Sequence, residues 1–166
     1  VHRRHREIAS LDAGPMAEEV GAMRDLLLDP RRTALNLVTL PEEMPVRETF
    51  ELAAQVKDVL SIPRGYLVVN GIWPRLLGDA ESGLVSALEA VLPDDAARAR
   101  AGVRCLSGML ERRRFQEHHM TELRDHLPWP RVELPYLFTE SFDRAAVEVL
   151  SGELDKQLSA HQEKAA

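Results

Sequence analysis

The apolar residues of this chain switch between two spacings, one typical of helices and the other typical of strands. Helical spacing predicts five helices, over 16–27, 46–60, 82–92, 96–127 and 143–158. Short, mostly apolar runs predict three strands, over 34–40, 66–69 and 131–134. Prolines stand close to most of these boundaries, because the ring removes an N–H donor and restricts the residue before it.

The order of these elements predicts the fold class. A strand, a helix and a second strand joined by short connections form a right-handed unit with parallel strands. We therefore predict an α/β fold with about three parallel strands and flanking helices. It would form a single segment over 1–158 with a helical insertion at about 76–127, followed by a polar, frayed tail at 159–166.

A three-stranded parallel sheet is small for a complete domain. Parallel strands normally lie deep in a sheet that carries helices on both faces, and two open sheet edges invite association. The chain also begins at Val1 rather than at a methionine. Together these features favour the C-terminal part of a larger α/β protein.

Composition narrows the classes of function. The 166 residues, 45% apolar and 29% charged, suffice for one packed core. The net charge of −6 argues against general nucleic-acid binding, and we interpret the basic cluster Arg112–Arg114 as a solvated helix face. No run approaches the ~20 apolar residues of a membrane span, and the N-terminus lacks the apolar region of a secretory signal. The single Cys105 excludes an internal disulfide and fits a cytoplasmic protein.

The most specific candidate chemistry lies at the end of the second predicted strand. The segment 65–74 reads GYLVVNGIWP, and its apolar run stops at Asn70. Ligands of open parallel sheets bind just outside the carboxyl ends of the strands. The amide of Asn70 both donates and accepts hydrogen bonds, which suits the edge of a purine. The alternative is that Asn70-Gly71 only forms a turn, since both residues tolerate positive φ.

Several segments in a fixed order resemble the ArsA/Get3 family, which comprises arsenite-pump ATPases and ATPases that target tail-anchored membrane proteins. They are Leu28-Asp-Pro-x-x-Thr33, an apolar strand, Pro45-Val-Arg-Glu-Thr49, Val68-Val-Asn-Gly-Ile-Trp-Pro74 and Leu134-Pro-Tyr-Leu137. The resemblance covers roughly residues 16–158. It implies the C-terminal half of a doubly wound, parallel-sheet P-loop ATPase that acts as a dimer.

The resemblance also implies roles for particular residues. The family's strand-end asparagine contacts the adenine base, and its counterpart here is Asn70. A second segment packs against the same base, and its counterparts are Pro135, Tyr136 and Leu137. The alternative for Tyr136 is a place in the core. ATP or ADP and Mg²⁺ would be bound by the parent protein, and this chain alone is not expected to hold them firmly.

The departures from the family pattern limit what this chain does alone. It contains no G-x-x-x-x-G-K-[ST] motif, and lysine occurs only at 57, 156 and 164. We therefore assign no catalytic residue and expect no ATP hydrolysis by the isolated chain. The targeting members share a zinc ion through a C-x-x-C motif, but here Cys105 is followed by Gly108 at the second cysteine position. Two chains would supply only two thiolates, so no metal site is predicted.

Two clusters on the predicted long helix have alternative interpretations. His118, His119 and His126, with Glu117, form either a metal site or a solvated helix face, and the second is favoured because adjacent histidines point about 100° apart. Met109 and Met120, with the leucines of 84–92, form either an apolar surface for a hydrophobic client or part of the core.

The sequence therefore predicts a nucleotide (adenine)-recognition segment of an ArsA/Get3-like ATPase, coupling ATP binding and hydrolysis to anion transport or membrane-protein targeting. The expected partners are the N-terminal half or a second copy of the chain, with a hydrophobic client or a membrane partner as a further possibility. The alternative is a stand-alone interaction or dimerisation module that binds no nucleotide and uses a sheet edge or the helix at 84–92.

Overall fold

The computed structural model describes residues 15–56, 61–93 and 95–165. The predicted end of the second helix at 57–60 and the N-terminal histidines His2 and His5 lie outside these residues. The fold class is confirmed, because three parallel strands are flanked by helices. The elements are α1 (Pro15–Leu28), β1 (Leu35–Thr39), α2 (Glu43–Gln55), β2 (Arg64–Ile72), α3 (Asp79–Val91), α4 (Ala97–His126), β3 (Arg131–Pro135) and α5 (Arg144–Ala165).

The sheet is built around β2, which pairs in parallel with β1 on one side and with β3 on the other. Side chains of β-strands alternate between the two faces of a sheet. One face carries Leu37, Leu67 and Val69, which are buried beneath α2 and α4. These two helices complete the main core, whose buried members are Leu37, Val46, Ala53, Val56, Leu67, Val69, Ile72, Met120, Leu123 and Trp129.

The second face of the sheet is only half covered. Val38, Val68 and Val132 lie side by side across the three strands on this face. Val132 is fully buried, and α5 packs on its strand, whereas Val38 is 67% exposed. Cover is therefore complete over β3 and absent over β1 in the described part of the chain.

The outer edge of β3 is closed by side chains of α5. The N–H of Glu133 donates to Oε1 of Gln157 at 2.8 Å, and Nε2 of Gln157 donates to the carbonyl of Glu133 at 2.7 Å. One turn later, Nε2 of His161 donates to the carbonyl of Arg131 at 2.8 Å. The expectation of two open edges is therefore wrong for β3. Residues 159–165, which were predicted as a polar tail, continue α5 to Ala165.

The central strand is longer than predicted and contains a bulge at each end. It continues past Asn70 to Ile72, so Asn70-Gly71 neither ends the strand nor forms a hairpin turn. The pairing with β3 shifts between Val69 and Ile72, and Gly71 has φ 72°, a value that favours glycine. An extra residue in β2 relative to β3 thus sits at Asn70-Gly71.

The bulge at the start of β2 is closed by a side-chain amide. The pairing with β1 shifts between Leu35 and Leu37, and the N–H of Tyr66 donates instead to Oδ1 of Asn36 at 2.7 Å. The carboxamide of Asn36 passes so close to Gly65 that a Cβ at this position would overlap it. A larger residue at position 65 would therefore displace the Asn36 amide from its hydrogen bond with Tyr66.

Helices α1 and α3 leave apolar faces exposed. The predicted stripe of α1, which includes Met16, Met23 and Leu27, is exposed, and α1 packs on no other described element. On α3, which packs against α4, Leu84, Leu88 and Val91 are exposed while Val85 is buried. None of the described helices combines the length and the apolarity needed to cross a membrane.

We expect Gln157→Ala to destabilise the protein by about 1–3 kcal/mol, because it leaves the N–H and carbonyl of Glu133 without partners. Urea denaturation followed by circular dichroism measures the change. Gln162→Ala, at an exposed position of the same helix, is the matched control and should shift the midpoint little. Equal effects of the two substitutions would show that Gln157 does not close the sheet edge.

Candidate functional site at the carboxyl edge of the sheet

The ends of β2 and β3 lie side by side at the carboxyl edge of the sheet. Ile72 pairs with Pro135, and the N–H of Tyr136 donates to the carbonyl of Ile72 at 2.8 Å. Asn70 lies two residues before Ile72, within the bulge. The structure thus gathers Asn70, Pro135 and Tyr136 at one edge, with the half-buried Leu137 following directly.

The side-chain amide of Asn70 is held in one orientation. Its Oδ1 accepts a hydrogen bond from the N–H of Gly71 at 2.9 Å, which identifies the oxygen because a backbone N–H only donates. Within the described residues, the NH₂ group of the half-buried Asn70 meets no acceptor. The amide therefore presents two N–H donors and the remaining lone pair of Oδ1.

Gln116 fixes the backbone that follows Asn70. The N–H of Trp73 donates to Oε1 of Gln116 at 2.8 Å, and Nε2 of Gln116 donates to the carbonyl of Gly71 at 3.0 Å. Gln116 is buried in α4, so these groups have little access to water as substitute partners. A single carboxamide thus ties the bulge of β2 to α4.

Three aromatic side chains gather next to this backbone. The rings of Trp73 and Tyr136 have centroids 5.6 Å apart, and Phe138 lies 5.1 Å from Trp73 and 4.9 Å from Tyr136. The guanidinium of Arg112 lies 5.3 Å from the centre of the Trp73 ring, within cation–π range. Tyr136 is 47% exposed, so the alternative that placed it in the core is wrong.

An ion-pair network links α4 to the segment after β2. Glu117 accepts hydrogen bonds from Arg75 at 2.6 Å and from Arg113 at 3.1 Å. The hydrogen bond from Arg75 is the main cause that lowers the pKa of Glu117; burial opposes this shift and Arg113 supports it. Arg113 also donates to the carbonyl of Trp73 at 2.9 Å, and its side chain is only 19% exposed. The interpretation of Arg112–Arg114 as a solvated face is therefore wrong for Arg113.

A cavity of about 480 Å³ opens between the ends of β2 and β3. Pro135 lines it, whereas Asn70, Tyr136 and Leu137 lie outside its wall. The wall also contains polar groups from Arg75, Arg113, Glu133 and Glu153, and its apolar part comes from Ile72, Trp73, Pro74, Leu134, Pro135 and Val149. Apolar walls with a few charged groups are typical of small-molecule sites.

A larger cavity of about 670 Å³ lies between the start of α2 and α4. Its wall includes three carboxylates, from Glu42, Glu43 and Glu111, and the guanidinium of Arg112. Arg112 is already paired with Glu42 at 3.3 Å. The excess negative charge disfavours an anionic ligand such as a nucleotide.

Sequence reasoning missed Gln116 and Trp73 as parts of this edge. Gln116 lies among the mixed polar and apolar residues of α4, and the sequence there does not distinguish a buried glutamine from an exposed one. Trp73 directly follows the strand that contains Asn70, and this position is the signal by which the sequence indicates it.

No family model matches the sequence. The chain is similar to ATPase BagA of Mycobacterium tuberculosis H37Rv, with 30% identity over 158 residues. The same identity and coverage hold for Mb3704 of Mycobacterium bovis and MT3781 of M. tuberculosis CDC 1551, whose names provisionally class them as ATPases. The match covers 87% of this chain and 45% of the length of each relative. The chain is thus related, over part of their length, to larger proteins named as ATPases.

We expect Gln116→Met to destabilise the protein by about 1–3 kcal/mol, because the methionine fills the space but leaves two half-buried backbone groups, the N–H of Trp73 and the carbonyl of Gly71, unpaired. The emission of Trp73 should also change, since Gln116 holds its backbone. Urea titration followed by tryptophan fluorescence reports both effects. Gln55→Met, at an exposed position of α2, is the control and should stay within about 0.5 kcal/mol of the parent. A loss as small as this for Gln116→Met would contradict the assigned role.

Proposed function

We propose that this chain supplies the adenine-recognition edge of an ATPase of the ArsA/Get3 type. The observation that carries the proposal is the amide of Asn70, held in a bulge at the carboxyl edge of the sheet with its NH₂ group free of protein partners in the described structure. The similarity to mycobacterial ATPases over 87% of the chain supports a nucleotide as the ligand of the longer protein.

The chemistry of the Asn70 amide matches adenine better than guanine. Adenine presents a donor and an acceptor on neighbouring atoms, the N6 amino group and N7, and a carboxamide pairs with both. Guanine presents two acceptors, O6 and N7, at the same edge. Oδ1 of Asn70, which already accepts from Gly71, would face O6 without a proton between them.

Apolar groups beside Asn70 suit the faces of a base. Pro135 and Leu134 line the neighbouring cavity, and Tyr136 presents an exposed ring next to Trp73. A planar heterocycle gains from apolar contact on its faces and from hydrogen bonds at its edge. The apolar contacts would come from Pro135, Tyr136 and Leu137, and the hydrogen bonds would come from Asn70.

The phosphates and the metal would be bound elsewhere in the longer protein. The chain lacks a glycine-rich loop with its lysine, and the two carboxylates that line the cavity between the ends of β2 and β3 are engaged, Glu133 with Arg131 and Glu153 with Lys156. The residues present therefore fit a base and do not fit a Mg²⁺-phosphate group. Coupling to anion transport or to membrane-protein targeting would rest on the rest of the protein and its partners.

We expect adenosine to bind the chain weakly, with a Kd of about 1 mM, since only the base contacts are available. In ¹H–¹⁵N NMR spectra, adenosine should shift the Asn70 side-chain amide and the Trp73 indole, and guanosine should shift them less. Asn70→Asp keeps an acceptor for Gly71 but removes the NH₂ donors, so the adenosine affinity should fall about fivefold to tenfold.

Asn36→Asp provides the matched control, because Asn36 also accepts a backbone hydrogen bond but lies at the opposite end of the central strand. Its adenosine affinity should equal that of the parent chain. The assignment is wrong if adenosine and guanosine give the same shifts, or if Asn70→Asp binds adenosine unchanged.

A second candidate function is self-association without nucleotide binding. It is favoured by one observation, the exposed apolar stripe formed by Leu84, Leu88 and Val91 on α3. These positions follow helical spacing, so two copies of α3 would bury them against each other. The occupant of the stripe would then be a second copy of this chain.

In this case we expect light scattering to report a dimer for the parent chain and a monomer for the double substitution Leu84→Glu and Leu88→Glu, because the charges would be buried between the copies. Leu52→Glu, at an exposed leucine of α2, is the control and should remain dimeric. A parent chain that stays monomeric at all concentrations would exclude this function.

A further inference from the structure

A cluster of three potential metal ligands lies on α4, outside the strand-end site. Oε2 of Glu122 lies 2.7 Å from Nδ1 of His119, and Oε1 lies 3.7 Å from Nε2 of His118. The ligand atoms of the three residues all lie within 4.8 Å of one another. His118 is exposed and His119 is buried, so the adjacent histidines do diverge, but the carboxylate of Glu122 lies within reach of both rings.

His119 is a buried histidine of α4 with an unpaired ring nitrogen, which is unusual in a protein interior. It is 5% exposed, and its Nε2 has no hydrogen-bond partner in the described residues. Its other nitrogen bonds only to the carboxylate that His118 also approaches. Buried polar atoms are normally paired, and an unpaired one often marks a functional site. The nitrogen of His119 that faces Glu122 is Nδ1, so Nδ1 is the atom that the cluster offers to a metal ion.

We propose that His118, His119 and Glu122 bind a divalent transition-metal ion such as Zn²⁺. Two imidazole nitrogens and one carboxylate form a donor set that Zn²⁺ accepts in proteins, with a fourth position left open. Mg²⁺ and Ca²⁺ prefer sets made of oxygens alone. The site differs in position and in ligands from any site that Cys105 would form.

The geometry requires a small adjustment that the cluster permits. Ligand atoms around tetrahedral Zn²⁺ lie roughly 3.3–3.5 Å apart, given metal–ligand distances of about 2.0–2.2 Å. The side chain of His118 is 69% exposed and free to move toward Glu122, while the buried His119 stays fixed. The pair at 3.7 Å thus has to close and the hydrogen-bonded pair at 2.7 Å has to open, and both movements fall on the partly exposed side chains of His118 and Glu122.

A pocket of about 270 Å³ between α2 and α4 gives solvent access to the cluster. Glu43 and Arg47 of α2 line the same pocket and are paired with each other at 3.2 Å. The carboxylate of Glu43 offsets the positive charge of Arg47, so the guanidinium repels a cation less than it would alone. The pocket also leaves room for water at the open position of the metal.

The test is titration of the tag-free chain with Zn²⁺ by calorimetry at pH 7.5, with Mg²⁺ as the comparison. We expect one Zn²⁺ per chain with a micromolar Kd, and no heat from Mg²⁺. His118→Ala, at an exposed position that should not disturb folding, should weaken Zn²⁺ binding at least tenfold, and Glu122→Gln should do the same.

Two controls separate this cluster from other histidines. His126→Ala removes an exposed histidine of the same helix that bonds to the backbone of Glu122, and it should leave the Zn²⁺ affinity unchanged. The double substitution His2→Ala and His5→Ala removes the N-terminal histidines and should also have no effect. Loss of binding in this double variant, or unchanged binding in His118→Ala, would overturn the proposal.

Substitution with Co²⁺ provides a readout of the ligands themselves. The visible absorption of a four-coordinate Co²⁺ complex should appear in the parent chain and be lost in His118→Ala. Absorption that is the same in both proteins would place the ion elsewhere, and its absence from the parent would contradict a four-coordinate site.

Discussion

Buried backbone groups must be paired, and at three places in this sheet side-chain amides provide partners that the strands themselves do not. Asn36 does so at the bulge that opens β2, Gln116 at the bulge that ends it, and Gln157 along the edge of β3. Each carboxamide takes the place that a neighbouring strand would otherwise fill. The irregular path of β2, and with it the position of Asn70, depends on the amide of Gln116.

The sheet is covered at the β3 edge and open at the β1 edge. At β3, Gln157 and His161 occupy the outer edge and α5 covers the face. At β1, the described structure contains no further strand, and Val38 is exposed. An exposed parallel edge with a bare apolar face is the geometry expected where more of a sheet is added. The greater length of the mycobacterial relatives is consistent with such an addition.

The predictable part of the fold rests on local patterns. Helical spacing located all five described helices. Asp143 caps α5, with its carboxylate accepting from the N–H of Ala146 at 3.1 Å. The unpredicted part depends on contacts between distant residues. Periodicity does not predict that Gln116 bonds to the backbone of Trp73, that Arg113 is largely buried, or that Gln157 of α5 bonds to the edge of β3. The candidate site was thus located by its strand ends, while the residues that shape it were not.

The open side of the sheet and the candidate site are connected through Leu40. Its side chain lies against Gly71, where an added Cβ would meet Cδ2 of Leu40 at 3.4 Å, and it remains 41% exposed. A strand added beside β1 would bury Val38 and restrict Leu40, which in turn would limit the movement of the bulge. The carbonyl of Gly71 is already fixed by Gln116 from the opposite direction. Assembly on the β1 side would therefore restrict the backbone that carries the Asn70 amide without contacting that amide.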